Sequence, residues 1–173
     1  MKPLYSVEEK VEDAIDAGSA TVDLSKARAS SLPADIHKLE GVKVLKANNN
    51  LFKSLPRGLW ELVELNTLDL KNNQIVVLSE HVKDLVVLQT LSVRANMLKV
   101  LPRGLFECSN LRFLDVSSNN LTELSGDVGN LKHLTELHVG NNHKIAALPA
   151  TIGNLEKLTV LTADHMALVE IPE

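Results

Sequence analysis

Histidines and acidic residues near the end of the chain are the side chains best suited to support chemistry. His138, Asp164 and His165 fall at neighbouring strand positions of two successive repeats, and His143 lies in the turn between them. Zinc requires three or four such ligands that converge at about 2.0–2.3 Å. The sequence places this group only loosely, so we expect solvated surface histidines and predict neither a metal site nor a cofactor.

The single cysteine, Cys108, occupies an apolar position of the sequence pattern. A cysteine in such a position is expected to pack as a small apolar side chain and not to act as a nucleophile. The sequence lacks the common phosphate-binding and hydrolase motifs GxxxxGKS/T, GxGxxG, HExxH and GxSxG. We therefore expect a protein that is not an enzyme.

Composition and charge argue against several functional classes. The chain has 173 residues, 45% hydrophobic and 3% aromatic, which predicts one aliphatic core of ordinary domain size. A net charge of −4 argues against nucleic-acid binding. The sequence has no run of about 18 apolar residues, and its charged start lacks the apolar segment of a secretory signal. We therefore expect no membrane association and a cytoplasmic location.

An internal repeat organises most of the chain. Residues 65–78 read LNTLDLKNNQIVVL and residues 88–101 read LQTLSVRANMLKVL, with apolar residues in the same places around one asparagine. The frame returns every 23 residues, with one extra residue near His143–Lys144. It defines units 1 to 7, which start at residues 19, 42, 65, 88, 111, 134 and 158, the last being incomplete. The terminal units are atypical, as expected for repeats with one neighbour, because Ala27 and Met166 replace the asparagine.

Each unit combines a short strand with a turn at the asparagine. Positions 4 and 6 of a unit are apolar and positions 5 and 7 are mostly polar, which predicts a strand with one buried face. The turn leaves backbone groups without strand partners, and each unpaired buried group costs about 1–3 kcal/mol. An amide both donates and accepts, so we predict that one asparagine per interior unit pairs these groups within its own unit and in its neighbour. These residues are Asn50, Asn73, Asn96, Asn119 and Asn142.

The frame LxxLxLxxNxL, repeated over residues 19–173, resembles the leucine-rich repeat. The ending LPxxLxxL, as in LPRGLWEL, is similar to the typical 23-residue intracellular units of Ras-suppressor-like and plant Ras-group-related proteins. The resemblance implies an α/β solenoid, a right-handed horseshoe segment with a parallel concave sheet of about seven strands. It also implies short helical or 3₁₀ turns on the convex side. We expect each proline to occupy a first helical position, where its missing N–H is not needed.

Residues 1–18 precede the repeats and have a helical pattern. Ser6 and Glu9 have the spacing of a capping box, and Gly18 suits the residue after a helix end. One helical face would carry the apolar residues Val7, Val11, Ala14 and Ile15. We predict an N-terminal capping helix at 1–18 that covers the open end of a leucine-rich repeat domain at 19–173. The alternative is a targeting or partner-docking helix.

Outward positions of the strands line the predicted concave face and carry the candidate binding residues. Neighbouring strands lie about 4.8 Å apart, so equivalent positions of successive units adjoin. Phe113 and Arg94 pair an aromatic side chain with an arginine, two residue types that dominate interface energies. The candidate set for protein binding is Phe113, Arg94, Asp69, Lys71, Asp115, Glu136 and His138. One alternative is a solubilising charge ladder with Phe113 covering aliphatic carbon. Another is a convex contact at Trp60, which otherwise packs over a neighbouring turn.

The resemblance implies a non-catalytic protein-protein interaction module or scaffold, with its partner on the concave face and a role in intracellular signalling. The implied partner classes are small GTPases, kinases and phosphatases. One alternative is the recognition domain of a larger enzyme, a kinase or Roco-type GTPase, whose catalytic part is absent from this chain. Another is end-to-end self-association through the uncapped final repeat at Leu161, Ala163 and Leu168. A structural or enzyme-inhibiting role is a further alternative.

Overall fold

The computed structural model describes residues 6–169, which form one α-helix, seven strands and six 3₁₀ turns. Helix α1 spans Val7–Asp16. The strands are β1 (Thr21–Asp23), β2 (Val44–Lys46), β3 (Thr67–Asp69), β4 (Thr90–Ser92), β5 (Phe113–Asp115), β6 (Glu136–His138) and β7 (Val160–Thr162). The 3₁₀ turns, one between each pair of successive strands, are Ala34–Lys38, Arg57–Glu61, Glu80–Asp84, Arg103–Glu107, Gly126–Asn130 and Ala150–Asn154.

The strands form one parallel sheet in chain order from β1 to β7. Each residue pairs with its equivalent in the next unit, so Leu68 lies opposite Leu91 and Leu91 opposite Leu114. The predicted parallel sheet, short 3₁₀ turns and N-terminal helix are confirmed. Residues 1–5 of the predicted capping segment and 170–173 of the seventh unit lie outside the described residues.

The apolar residue at the centre of each strand builds the core. The equivalent leucines of β2 to β6 are completely buried: Leu45, Leu68, Leu91, Leu114 and Leu137. Burial of one such side chain contributes about 1.5–3 kcal/mol, and each of these leucines lies between two neighbouring units. Leu161 holds the same position in β7 but is 41% exposed, because no described residue packs over that edge. The stacking of units, and not the single unit, therefore buries the core.

The asparagine of each interior unit bonds the backbone of its own turn and of the preceding unit. Asn96 Nδ2 donates to Val93 O of its own unit (2.9 Å) and to Leu70 O of the preceding unit (3.0 Å). Asn96 Oδ1 accepts from Ile75 N–H of the preceding unit (2.9 Å). The same pattern recurs at Asn50, Asn73, Asn119 and Asn142. One buried side chain per unit thus joins two successive turns.

The extra residue in unit 6 changes this bonding. Ile145 N–H donates to Asn142 O of its own unit at 3.1 Å, whereas the equivalent N–H groups of earlier units donate to the next asparagine. Unit 7 therefore meets no such N–H group in the unit before it, and it has Met166 at the asparagine position. Unit 1 has Ala27 there, and no earlier repeat turn stands before it. At the asparagine position of both terminal units, no turn N–H group of a preceding repeat is therefore left to be accepted.

The residue before each asparagine position turns the chain out of the strand. Its backbone is left-handed in all seven units, with φ between 53° and 57°. These residues are Lys26, Asn49, Asn72, Ala95, Ser118, Asn141 and His165. Asparagine tolerates this conformation, whereas other residues pay about 1–2 kcal/mol. The repeated turn sends the following loop of each unit to the same flank of the sheet.

Helix α1 packs on the first strand. Ser6 Oγ accepts from Glu9 N–H (3.1 Å) and Glu9 Oε2 accepts from Ser6 N–H (2.7 Å), which is the capping box expected from the sequence. Gly18 follows the helix with a left-handed φ of 57°. The side chains of Val7 and Val11 are 1% exposed and belong to the common core. The helix covers the apolar edge of unit 1.

The 3₁₀ turns begin one residue later than the sequence analysis placed them. Pro33, Pro56, Pro102 and Pro149 each precede the first helical residue and do not occupy it. Each proline has the fixed negative φ but an extended ψ, as in Pro56 with ψ of 152°, which is the conformation of a cap. In the other two described turns, Ser79 and Ser125 take this place, and their hydroxyls accept a backbone N–H.

Candidate functional site

An open groove of about 550 Å³ crosses strands β2 to β5 on the solvent side of the sheet. It is built by the outward residues of each strand and by the residues that follow the strand end. Five of the seven candidate residues line it: Asp69, Lys71, Arg94, Phe113 and Asp115. Glu136 and His138 belong to β6, which pairs directly with β5. The structure therefore brings the seven residues onto one continuous surface.

The aromatic side chain of Phe113 marks one end of the groove. Its ring centroid lies 5.3 Å from that of His138 with the planes tilted by 45°. His138 Nδ1 lies 2.9 Å from Thr162 Oγ1, within hydrogen-bond distance, and its Nε2 lies 3.5 Å from Glu136 Oε2. Phe113 is thus contacted on one side by this imidazole and remains half-buried beside the groove.

The two carboxylates of the groove are already bonded within the protein. Asp115 is 8% exposed, and its Oδ1 accepts from both the N–H (3.0 Å) and the hydroxyl (2.6 Å) of Ser117. Asp69 Oδ1 accepts from Lys71 N–H (3.1 Å), and Oδ2 accepts from Asn48 Nδ2 (2.8 Å). The Lys71 ammonium adds a contact to Asp69 Oδ2 at 3.4 Å. Among the described residues these bonds engage both oxygens of Asp69 but only Oδ1 of Asp115, and they hold the two carboxylates in place.

Two of the three cations of the groove, Arg94 and Lys46, are free of ion pairs within residues 6–169, whereas the third, Lys71, contacts Asp69. Arg94 is exposed, and within residues 6–169 its guanidinium has no carboxylate within 4.0 Å and no hydrogen-bond acceptor. The Lys46 ammonium is likewise exposed and without an ion pair in that part of the chain. A charged group without an internal partner can form a charge-assisted bond with a ligand at no loss of an internal bond.

Several residues of the groove were not among the sequence-based candidates. Lys46, Thr67, Thr90, Ser92 and Asn72 line it as well. Four of them occupy the same outward strand positions as the candidates, and this periodicity was the available signal. Asn72 is different, because it lies at the left-handed turn residue that follows the strand.

Of the reactive side chains, Cys108 is packed in the core, whereas Asp164 and His165 are exposed. Burial raises the pKa of Cys108 to about 11, and its Sγ lies 3.4 Å from Val82 O. The hydrogen bond from His165, at 2.7 Å, lowers the pKa of Asp164. Within residues 6–169 no three histidine, cysteine, aspartate or glutamate side chains converge as metal ligands would.

Trp60, the candidate for a contact on the convex side, is buried. Trp60 is 3% exposed and belongs to the common core, so its indole cannot contact a partner from the convex surface. Separately, no helix within residues 6–169 has the length and apolar character needed to span a membrane.

Known proteins similar to this chain are repeat proteins of the same architecture. The sequence profile described as leucine rich repeat matches residues 86–143. A leucine-rich-repeat protein of Leptospira interrogans, LIC12759, is 33% identical over 88% of this chain, with a TM-score of 0.85. The functional domain of InlJ from Listeria monocytogenes is 24% identical over 93% of this chain, with a TM-score of 0.81. The Arabidopsis receptor kinase HAESA, in complex with the peptide hormone IDA and the co-receptor SERK1, is 24% identical over 87%, with a TM-score of 0.78.

These solved structures are much longer than this chain, which covers 38%, 36% and 26% of them respectively. No curated protein sequence matches the chain significantly. The matched profile, the asparagine bonds between turns and the parallel sheet with one strand per 23-residue unit agree with one another. The chain belongs to the leucine-rich repeat family.

Proposed function

We propose that this protein is a non-catalytic binding module and that the groove across β2 to β5 holds an extended segment of a partner protein. The observation that carries the proposal is the contrast within the groove. Its carboxylates, Asp69 and Asp115, are bonded internally, whereas Arg94 is free and Phe113 is half-exposed. The surface therefore offers a partner one aromatic ring and two cations, Arg94 and Lys46, that are unpaired within residues 6–169.

The partner segment is expected to carry an acidic side chain and an apolar one. The acidic group would pair with Arg94, with Lys46 adding attraction from β2. The apolar side chain would pack on Phe113, which His138 of the neighbouring strand contacts on one side. Four strands spaced about 4.8 Å apart make the groove about 14 Å wide, which four or five extended residues can cross.

A role in intracellular signalling, a cytoplasmic location and a small GTPase, kinase or phosphatase as partner are proposals that rest on the family resemblance. The HAESA complex supports the peptide mode by analogy of fold, because that repeat protein was solved with a peptide hormone bound.

The test compares a groove variant with a matched variant of the convex surface. Arg94→Glu combined with Phe113→Ala is expected to abolish capture of the native partner from cell extract, as measured by affinity purification and mass spectrometry. Arg57→Glu combined with Val63→Ala makes the same change of charge and shortens an exposed apolar side chain outside the groove, and it should capture the partner normally. Thermal unfolding of both variants should match the parent protein. Undiminished capture by the groove variant would refute the proposal.

A second proposal concerns the edge of β7. Val160 and Leu161 are 38% and 41% exposed there, although the equivalent residues of β6 are half-buried and buried. This edge suits a further repeat, as in a recognition domain of a larger kinase or Roco-type GTPase, or a second copy of the chain. Light scattering tests the second option: a monomer at high protein concentration would rule out self-association through β7.

A further inference from the structure

A second exposed surface lies on the flank where the loops leave the strands. The loops that follow the left-handed turn in units 2 to 4 expose five large aliphatic side chains: Leu51 (45%), Val76 (47%), Val77 (69%), Met97 (45%) and Val100 (59%). They alternate with buried residues such as Ile75 and Leu98, which anchor the loops in the core. We name the five residues, with the cations described next, the loop flank.

The charge of the loop flank has one sign. Four cations lie in these loops and in the equivalent loop of unit 1: Lys26 and Arg28 in unit 1, Lys53 in unit 2 and Lys99 in unit 4. All four are exposed, and none forms an ion pair with any of residues 6–169. The loop segments 26–31, 49–54, 72–77 and 95–100 contain no aspartate or glutamate, although the chain as a whole has a net charge of −4. Solubility alone does not explain a local excess of cations on a protein of net negative charge.

The repeat itself does not require this surface. The equivalent loop of unit 5, residues 118–123, has Glu123 and no large exposed aliphatic residue. On the opposite flank the exposed Val63 stands between Glu61 and Glu64. Aliphatic and purely cationic side chains thus coincide only on one flank of units 1 to 4 within the described chain.

The loop flank is held rigidly by backbone hydrogen bonds from loop to loop. Leu51 N–H donates to Ala29 O (2.8 Å), Gln74 N–H to Phe52 O (2.9 Å) and Met97 N–H to Ile75 O (2.9 Å). Such a pre-ordered surface loses little conformational entropy when a partner binds. It spans three repeat spacings, which is about 14 Å, or about ten residues of an α-helix.

We propose that the loop flank binds an acidic amphipathic helical segment of a partner protein. Its aliphatic side chains would receive the apolar face of the helix, and the four cations would pair with acidic residues along its edges. The flank has no aromatic residue of the kind that membrane-interface surfaces favour, and this composition argues for a protein ligand over a lipid surface. The proposal is independent of the groove across β2 to β5.

The experiment selects peptides of about 16 residues from a random display library on the parent protein and measures the affinities of the selected peptides. We expect enrichment of Asp and Glu, with Leu, Ile or Phe at helical spacing. Val77→Ser with Val100→Ser, and separately Lys53→Glu with Lys99→Glu, should each lower the affinity at least about tenfold. The matched controls, Val63→Ser with Val86→Ser and Lys43→Glu with Lys157→Glu, should bind as the parent does.

Two further results would overturn the proposal. One is the selection of peptides without acidic residues, or of peptides whose binding is unchanged in the loop-flank variants. The other is stronger binding of the parent to phosphatidylserine vesicles than to any selected peptide, lost in the same variants, which would assign the flank to a membrane. Arg94→Glu should leave peptide binding at the loop flank unchanged, so that failure here is distinguishable from failure of the groove proposal.

Discussion

The interior units and the terminal units of this stack differ in whether an asparagine side chain bonds the backbone turn after the strand. In units 2 to 6 an asparagine bonds the turn of its own unit and the unit before it. Units 1 and 7 have Ala27 and Met166 at that place. The difference follows what each unit finds before it: unit 1 follows helix α1, and unit 7 follows a turn that has bonded its own N–H group. The asparagine is present in the units whose preceding unit has a turn N–H group that it can accept.

The largest expected difference in unfolding free energy is between alanine substitutions of two leucines at the same strand position, one in the interior and one at the edge. Leu91→Ala removes a fully buried side chain between two units and is expected to cost about 2–5 kcal/mol of unfolding free energy. Leu161→Ala, at the 41% exposed equivalent in β7, should cost well under half as much. Urea denaturation followed by circular dichroism measures both. Equal losses would mean that the described edge of β7 is covered in solution.

The asparagine bond predicts a smaller but local effect. Asn96→Ala leaves the Ile75 N–H without its acceptor, which is expected to cost about 1–3 kcal/mol. The carbonyl of Leu70 keeps its bond from Asn73, so the loss centres on one donor. Hydrogen exchange at the Ile75 amide should accelerate in Asn96→Ala, while the Ile145 amide, which donates to Asn142 O, should not change. Unchanged exchange at Ile75 would contradict the assigned bond.

Two glycines of the convex turns allow a similar comparison between an interior turn and the last described turn, because alanine should destabilise the protein at one position and not at the other. A Cβ at Gly129 would lie 2.7 Å from Thr151 O of the next unit, so Gly129→Ala is expected to cost about 1–3 kcal/mol. A Cβ at Gly153 meets no described atom within 4 Å, and Gly153→Ala should change stability by less than about 0.5 kcal/mol. Thermal denaturation of the two variants provides the comparison. A large loss in Gly153→Ala would show that another surface packs there.

A last comparison, which turns on a recovery of about 1 kcal/mol, tests the link between the extra residue and the missing asparagine. Deleting Lys144 restores the 23-residue spacing and should leave Ile145 N–H in need of an acceptor, at a cost of about 1–3 kcal/mol. Met166→Asn alone should gain nothing, whereas Met166→Asn in the deletion background should recover about 1 kcal/mol. A double-mutant cycle by urea denaturation measures this coupling. Additive effects would show that the extra residue in unit 6 and the missing asparagine in unit 7 are unrelated.

The periodic part of the fold was predictable, because stacking repeats the same physical demand every 23 residues. Leucine spacing indicated the buried face of each strand, and Ser6 with Glu9 indicated the start of α1. The start of each 3₁₀ turn was misplaced by one residue at Pro56 and its equivalents, because φ alone does not distinguish a cap from a first helical residue. The assignment of the groove to partner binding stays a prediction.

Sequence by itself determined the family, the order of the strands and which positions face away from the core, since these depend on local spacing and side-chain polarity. Only the tertiary structure decided which charges are free. Asp115 and Arg94 are equally polar in the sequence, yet Asp115 is buried against Ser117 while Arg94 remains exposed and unpaired among the described residues. Hydrogen bonds of this kind depend on distances of a few tenths of an ångström, which no residue pattern encodes.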